Sequence, residues 1–184
     1  MNITSIGLVG ISGVGKSTFI RKVQTHCLIE HLSASEIIQS ELFETTGRKF
    51  TPAQLRERNI DENQAALISG FQKKKLMASA PLVLDAHTVV DKEGVLIPIK
   101  HSVFTTFDFD LLICLVAPAS QIIEQRANDK TRNRPKLTLE NIEYHQEASR
   151  RQAIEIGTSL GIPTFIVTAG DERKMAKLIY PNLD

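Results

Sequence analysis

Residues 7–18 read GLVGISGVGKST, and within them Gly10 to Ser17 fits the spacing G-x-x-x-x-G-K-[ST]. A strand delivers such a loop and a helix leaves it. The glycines let backbone N–H groups turn inward around phosphate oxygens, and the helix N-terminus adds its partial positive charge. Gly10, Ser12, Gly13, Val14, Gly15, Lys16, Ser17 and Thr18 are therefore the candidate phosphate-binding residues. Lys16 is placed to reach the β- and γ-phosphates, and the Ser17 hydroxyl to ligate Mg²⁺. The flanks supply the required context: ITSIGLVG reads as a buried strand and KSTFIRKVQTH as the helix after it.

The remaining pattern alternates strand and helix. LIEHLSA reads as a second, weaker strand, and SEIIQSELFETTG as a helix ending at Gly47. Pro52 opens a long helical stretch to about residue 79, with Gly70 inside it. PLVLDAH is a strand, and DKEG at 91–94 a turn within a hairpin. LLICLVA at 111–117 is apolar throughout, as suits a sheet covered on both faces. Pro118 opens ASQIIEQRAND, and Thr138 caps a helix from Leu139 to about Leu160, with Gly161 just past its end. PTFIVTA and DERKMAKLIY close the chain as a strand and a helix. A βαβ alternation of this kind predicts an α/β fold with a central parallel sheet and helices on both faces.

Length and composition narrow the class. The 184 residues predict one domain, and 42% hydrophobic with 23% charged residues is ordinary for a globular protein. A formal net charge of +1 gives no field that would gather nucleic acid. No apolar run reaches the ~18 residues of a membrane span, and the N-terminus shows no export signal. Cys27 and Cys114 are far apart and lack metal-ligand spacing, which fits thiols in a reducing cytoplasm.

A magnesium–phosphate site needs a carboxylate at the end of an apolar strand, and Asp85 after Leu82-Val83-Leu84 supplies it. His87, two residues on, is either a phosphate- or water-orienting group or a hydrogen-bonded structural residue. The connector EQRANDKTRNRPK carries Arg126, Lys130, Arg132, Arg134 and Lys136. It reads either as a solvated basic loop or as a lid whose arginines meet γ-phosphoryl charge on closing. Arg150 and Arg151 follow in the next helix, and about 100° between neighbours lets only one of them face inward.

These segments together resemble the adenylate kinase group of nucleoside monophosphate kinases, and its short-lid archaeal branch in particular. The resemblance rests on GISGVGKST, LDAH, RANDKTRNR and HQEASR, in that order, and extends from Ile3 to about Val167. It implies a three-layer P-loop NTPase fold in a single domain spanning 1–184, with an acceptor-binding helical insert at about 33–78 and a short lid at about 126–138. It implies ATP and Mg²⁺ as cofactors, Lys16, Arg126, Arg132, Arg134 and Arg150 as catalytic residues, and Ser17 and Asp85 at the metal. Ser33, Ser35, Arg56 and His87 become the acceptor-side candidates, with Arg56 gripping the monophosphate or serving only as surface charge. Where the archaeal branch has a Gly-Asp pair near the second strand, this chain has Ser-Ala-Ser-Glu, so the acceptor base is left open. That branch tends to form trimers, which implies a homo-oligomer.

The expected reaction is transfer of the ATP γ-phosphoryl to a nucleoside monophosphate, AMP foremost. A monophosphate is largely dianionic at pH 7, with a second pKa of about 6. It needs positioning and charge neutralisation rather than a general base. The arginines provide for that, and no second catalytic carboxylate stands out beside Asp85. Two other readings stay open: a P-loop ATPase of macromolecular, ribosome-type assembly, which shares the Asp-x-His strand, and a GTP-type switch. The N-K-x-D guanine signature that such switches carry is missing from the sequence.

Overall fold

A computed structural model of the chain describes residues 3–92, 94–129 and 137–183, with the main chain but not the side chain of Arg56. Strands β1 (Ser5–Val9), β2 (Glu30–Ser33), β3 (Leu82–Asp85), β6 (Leu111–Leu115) and β7 (Thr164–Val167) form one parallel sheet in the order β2-β3-β1-β6-β7. β1 therefore lies in the middle, between β3 and β6, and the loop that follows it opens at the centre of the sheet's carboxyl edge.

The period-2 alternation of strand side chains gives the sheet two cores. On one face Ile6, Leu8, Val83, Ile113 and Leu115 pack with Phe19 and Ile20 of α1 (Lys16–Val23), Ile122 of α6 (Ala119–Asn128) and Met175 of α8 (Glu172–Ile179). On the other, Leu82, Leu84, Leu112 and Cys114 meet α2 (Ala34–Thr46), α4 (Ile60–Met77), α5 (His101–Thr105) and α7 (Leu139–Leu160). Phe71, Phe107 and Phe109 close that second core with ring centroids 5.1–6.0 Å apart. Burial pushes the Cys114 thiol up to about 11, against the pull of Lys16, so it behaves as a small core hydrophobe.

Most expected elements are present, including the caps at Thr138 and Gly161 and the hairpin of β4 (Val89–Lys92) and β5 (Val95–Pro98). The long helix after Pro52 is a correction: it is two helices, α3 (Pro52–Glu57) and α4. Asn59 breaks it by capping α4, its Oδ1 accepting from Asp61 N at 2.8 Å. Gly70, in contrast, sits in unbroken helix because a Cβ there would meet Ile37 Cγ2 at 2.5 Å. α5 is an element that the sequence reading lacks.

Gly157 marks the closest approach of α7 to β7, where an added Cβ would collide with Thr164 Oγ1. Overpacking costs about 1–3 kcal/mol and alanine returns about 1 kcal/mol of helix propensity. Gly157→Ala is therefore expected to lose up to about 2 kcal/mol in urea unfolding. Thr164 Oγ1 has no hydrogen-bond partner among the described residues, so adding Thr164→Ala should restore most of the loss.

Candidate active site

The loop after β1 turns through Gly10, Gly13 and Gly15 at φ values of 149°, 91° and 98°. A side chain is strained in that region, so the inward-facing N–H groups depend on glycine. Lys16 is buried at the start of α1, and its Nζ donates to Gly10 O at 2.8 Å. The same ammonium lies 3.6 Å from Asp85 Oδ1. Ser17 Oγ donates to Asp85 Oδ2 at 3.2 Å. Register explains the meeting, since Asp85 at the end of β3 pairs with Leu8 of β1, just before the loop.

Burial alone would raise the Asp85 carboxyl. The Lys16 ammonium and the His31 and His87 rings outweigh it and bring the group from 3.8 to about 2. His87 Nδ1 lies 2.8 Å from Gly10 O. A carbonyl only accepts, so Nδ1 carries the hydrogen and His87 holds the start of the phosphate loop. Its ring also lines the cleft. Arg126, on α6, donates from Nη1 to Ser12 O at 3.2 Å, and its stem covers Gly13.

The loop lines a cleft of about 1490 Å³. Pockets for a single small molecule run to about 300–1,000 Å³, so this one has room for a donor and an acceptor. It is also lined by Ser33, which pairs with Asp85, by Ser35, whose hydroxyl is 3.0 Å from that of Ser33, and by Ile38, Leu55 and Leu67 of the α2–α4 segment. Val90 and Leu96 of the hairpin and Phe104 of α5 complete the apolar wall. Leu55 and Glu57, flanking Arg56 in α3, also line the cleft; the Arg56 side chain itself falls outside the described residues, as do Arg132 and Arg134.

Arg150 is not gathered into the loop's hydrogen-bond network. Its Nε and Nη2 donate to Glu147 at 2.8 and 2.7 Å. In the HQEASR segment, Gln146 clamps the backbone of Ala117 through two bonds of 2.9 and 3.0 Å. His145 lines the cleft, and burial pushes its pKa down, with Asp91 opposing and Arg126 assisting. Asp91 and Glu172 are cleft carboxylates that composition did not single out. Both serve backbone N–H groups, of Gly94 and Gly170 at 2.9 Å each. His31, on β2, is the residue that sequence reading missed: its Nε2 sits 3.8 Å from Asp85 Oδ2. Only the β2–β3 register, not any motif, brings it there.

An AAA-domain family model matches residues 9–143. The chain belongs to the AAA-domain family. It is adenylate kinase-like: the adenylate kinase of Methanococcus vannielii is 26% identical over 166 residues, 87% of this chain and 86% of that one. The adenylate kinase of Pyrococcus abyssi is 26% identical over 151 residues, 80% and 76% of the two chains. Shikimate kinase from Acinetobacter baumannii, solved with shikimate, shares the fold at a TM-score of 0.56 and 20% identity, covering 98% of this chain and 94% of its own. The Deinococcus radiodurans tunicamycin resistance protein does so at 0.61 and 15%, covering 98% and 95%. The adenylate kinase-like member described here is an ATP-dependent phosphotransferase with a P-loop α/β fold. Among the described residues no helix is long and apolar enough to cross a membrane.

The lowered Asp85 pKa has a signed consequence. Its contribution is fully present above the unfolded value of 3.8 and is lost as pH falls through about 2. Between pH 6 and pH 3 the parent should therefore lose about 1 kcal/mol more unfolding free energy than Asp85→Asn, read from urea melts at the two pH values.

Proposed function

We propose that this enzyme is a nucleoside monophosphate kinase that moves the γ-phosphoryl of ATP onto a monophosphate, with AMP the preferred acceptor. The observation that carries this reading is one cleft of about 1490 Å³ whose lining joins the phosphate loop to an apolar wall. Lys16, Ser17 and Asp85 converge beside the loop, Ser33 lies next to them across the β2–β3 pairing, and an apolar wall from α2, α3, α4 and α5 lines the same cleft.

The residues suit ATP with Mg²⁺. Ser17 Oγ and Asp85 Oδ2, 3.2 Å apart, are near the spacing of neighbouring ligands in an octahedral Mg²⁺ shell, about 3.0 Å for bonds of about 2.1 Å. One hydroxyl and one carboxylate suffice for a cation that takes its other ligands from phosphates and water. When bound, the metal neutralises charge on the transferring group. The loop N–H groups from Gly10 to Thr18 cradle the phosphates, and Lys16 exchanges Gly10 O for phosphate oxygen. Arg126, Arg132 and Arg134 are assigned to neutralising charge on the γ-phosphoryl. Arg150 joins them by leaving Glu147, an exposed i,i+3 pair that solvent screens and phosphate charge outcompetes. The insert at 33–78 receives the acceptor, with Arg56 on its phosphate, Ser33 and Ser35 beside it, and His87 facing it from the start of the loop.

The direct test is ATP·Mg²⁺ with each nucleoside monophosphate in turn. Diphosphate formation is expected, fastest with AMP, and lost in Lys16→Met, which also lowers thermal stability because it leaves the Asp85 carboxylate without its ammonium. Arg56→Ala should raise the acceptor KM and spare ATP, whereas Arg134→Ala should lower kcat by on the order of 10³-fold. If Arg56→Ala weakens ATP and spares AMP, the acceptor site is misassigned. Hydrolysis of ATP with no monophosphate turned over would replace the kinase reading with that of an assembly ATPase.

A further inference from the structure

Asp85 has a neighbour that the phosphate-loop motif does not supply. His31 and Ser33 lie on the same face of β2 as Asp85 does on β3, because the parallel register pairs Ser33 with Asp85 and His31 with Val83. From that position His31 Nε2 comes to 3.8 Å from Asp85 Oδ2. The nitrogen is buried and has no hydrogen-bond partner among the described residues. A buried N–H left unsatisfied costs about 1–3 kcal/mol, so a ring that aims one at a carboxylate slightly beyond bonding range is poised for a small movement. A carboxylate oxygen only accepts, so the tautomer that suits this site carries its hydrogen on Nε2.

The occupant of Oδ2 explains the gap. That oxygen accepts from Ser17 Oγ at 3.2 Å. Under the proposed function, Ser17 turns its hydroxyl oxygen to Mg²⁺, and Asp85 Oδ2 loses this donor when the metal must be held. Lys16, on Oδ1, is required by the phosphates. His31 is the donor that remains on the Oδ2 side and has no other partner for Nε2 among the described residues.

We infer that His31 is a positioning residue for the metal carboxylate: it takes over Asp85 Oδ2 by an Nε2–H hydrogen bond when Ser17 is drawn to Mg²⁺, and so sets metal affinity without touching metal or nucleotide. The inference rests on the reading of Asp85 as a magnesium residue. Partners of this kind typically change metal affinity 10–100-fold on removal.

The test is Mg²⁺ titration of the full chain saturated with a non-hydrolysable ATP analogue, read by calorimetry, beside binding of the same analogue in EDTA. His31→Ala is expected to raise the Mg²⁺ Kd at least tenfold and leave metal-free analogue binding within about twofold. His31→Gln, which keeps an N–H donor, should recover most of the affinity, while His31→Leu, similar in bulk and without a donor, should not. An unchanged Mg²⁺ Kd in His31→Ala and His31→Leu, or equal weakening of metal-free binding, overturns the inference. Thermal melts of each variant identify a loss that comes from misfolding, and loss of metal affinity only in variants that melt early also counts against it. Asp85→Asn separates the two levels: if it leaves the Mg²⁺ Kd unchanged, the metal reading of Asp85 fails and the role of His31 falls with it. If Asp85→Asn weakens Mg²⁺ and His31→Ala does not, only the His31 inference fails.

Discussion

The carboxylate of Asp85 ties the site to the sheet. It ends β3, accepts from Ser17 at the start of α1 and faces the Lys16 ammonium. Two charged groups buried at the edge of an apolar sheet are tolerable only as a pair, because either one alone would carry the full desolvation penalty. The pair also fixes geometry: it holds the phosphate loop between two neighbouring strands whose register is set by the core beneath them. His87, bonded to Gly10, adds a second tie from the same segment to the same loop.

The two-faced sheet makes this economical in elements. Central strands buried on both sides leave only their carboxyl ends open, where α/β proteins bind ligands. The α1 face gives the loop its rigid helix, and the opposite face carries α2, α4 and α5, whose apolar side chains continue past the sheet edge as the wall of the cleft. Thus the second core and the apolar wall of the cleft share residues, among them Ile38, Leu67 and Phe104. The break at Asn59 separates α3, whose Leu55 lines the cleft, from α4, which packs along α2.

How much of this was legible in the sequence depends on range. The phosphate loop, Asp85, the cap at Thr138 and the apolar run of β6 are local signals, and each element stands where those signals put it. The break between α3 and α4 was hidden because Asn59 lies in the polar run RERN, where a capping residue looks like any helix-surface residue. Arg150 illustrates a readable cue left unread: Glu147 stands three residues before it, the spacing of a helix-surface pair. His31 carried no local cue, since its meeting with Asp85 exists only through strand pairing between residues more than fifty positions apart. The structural use of Asp91 and Glu172 was likewise invisible until their backbone partners were in place.

The central claim is that this site delivers phosphoryl to another phosphate and not to water. Single-turnover reaction of the enzyme with γ-³²P-labelled ATP, Mg²⁺ and excess AMP reads it directly, with the label separated by thin-layer chromatography. The account predicts label in ADP, in the burst and in proportion to enzyme, with little in orthophosphate. Label that appears in orthophosphate at the same rate with and without AMP would contradict it.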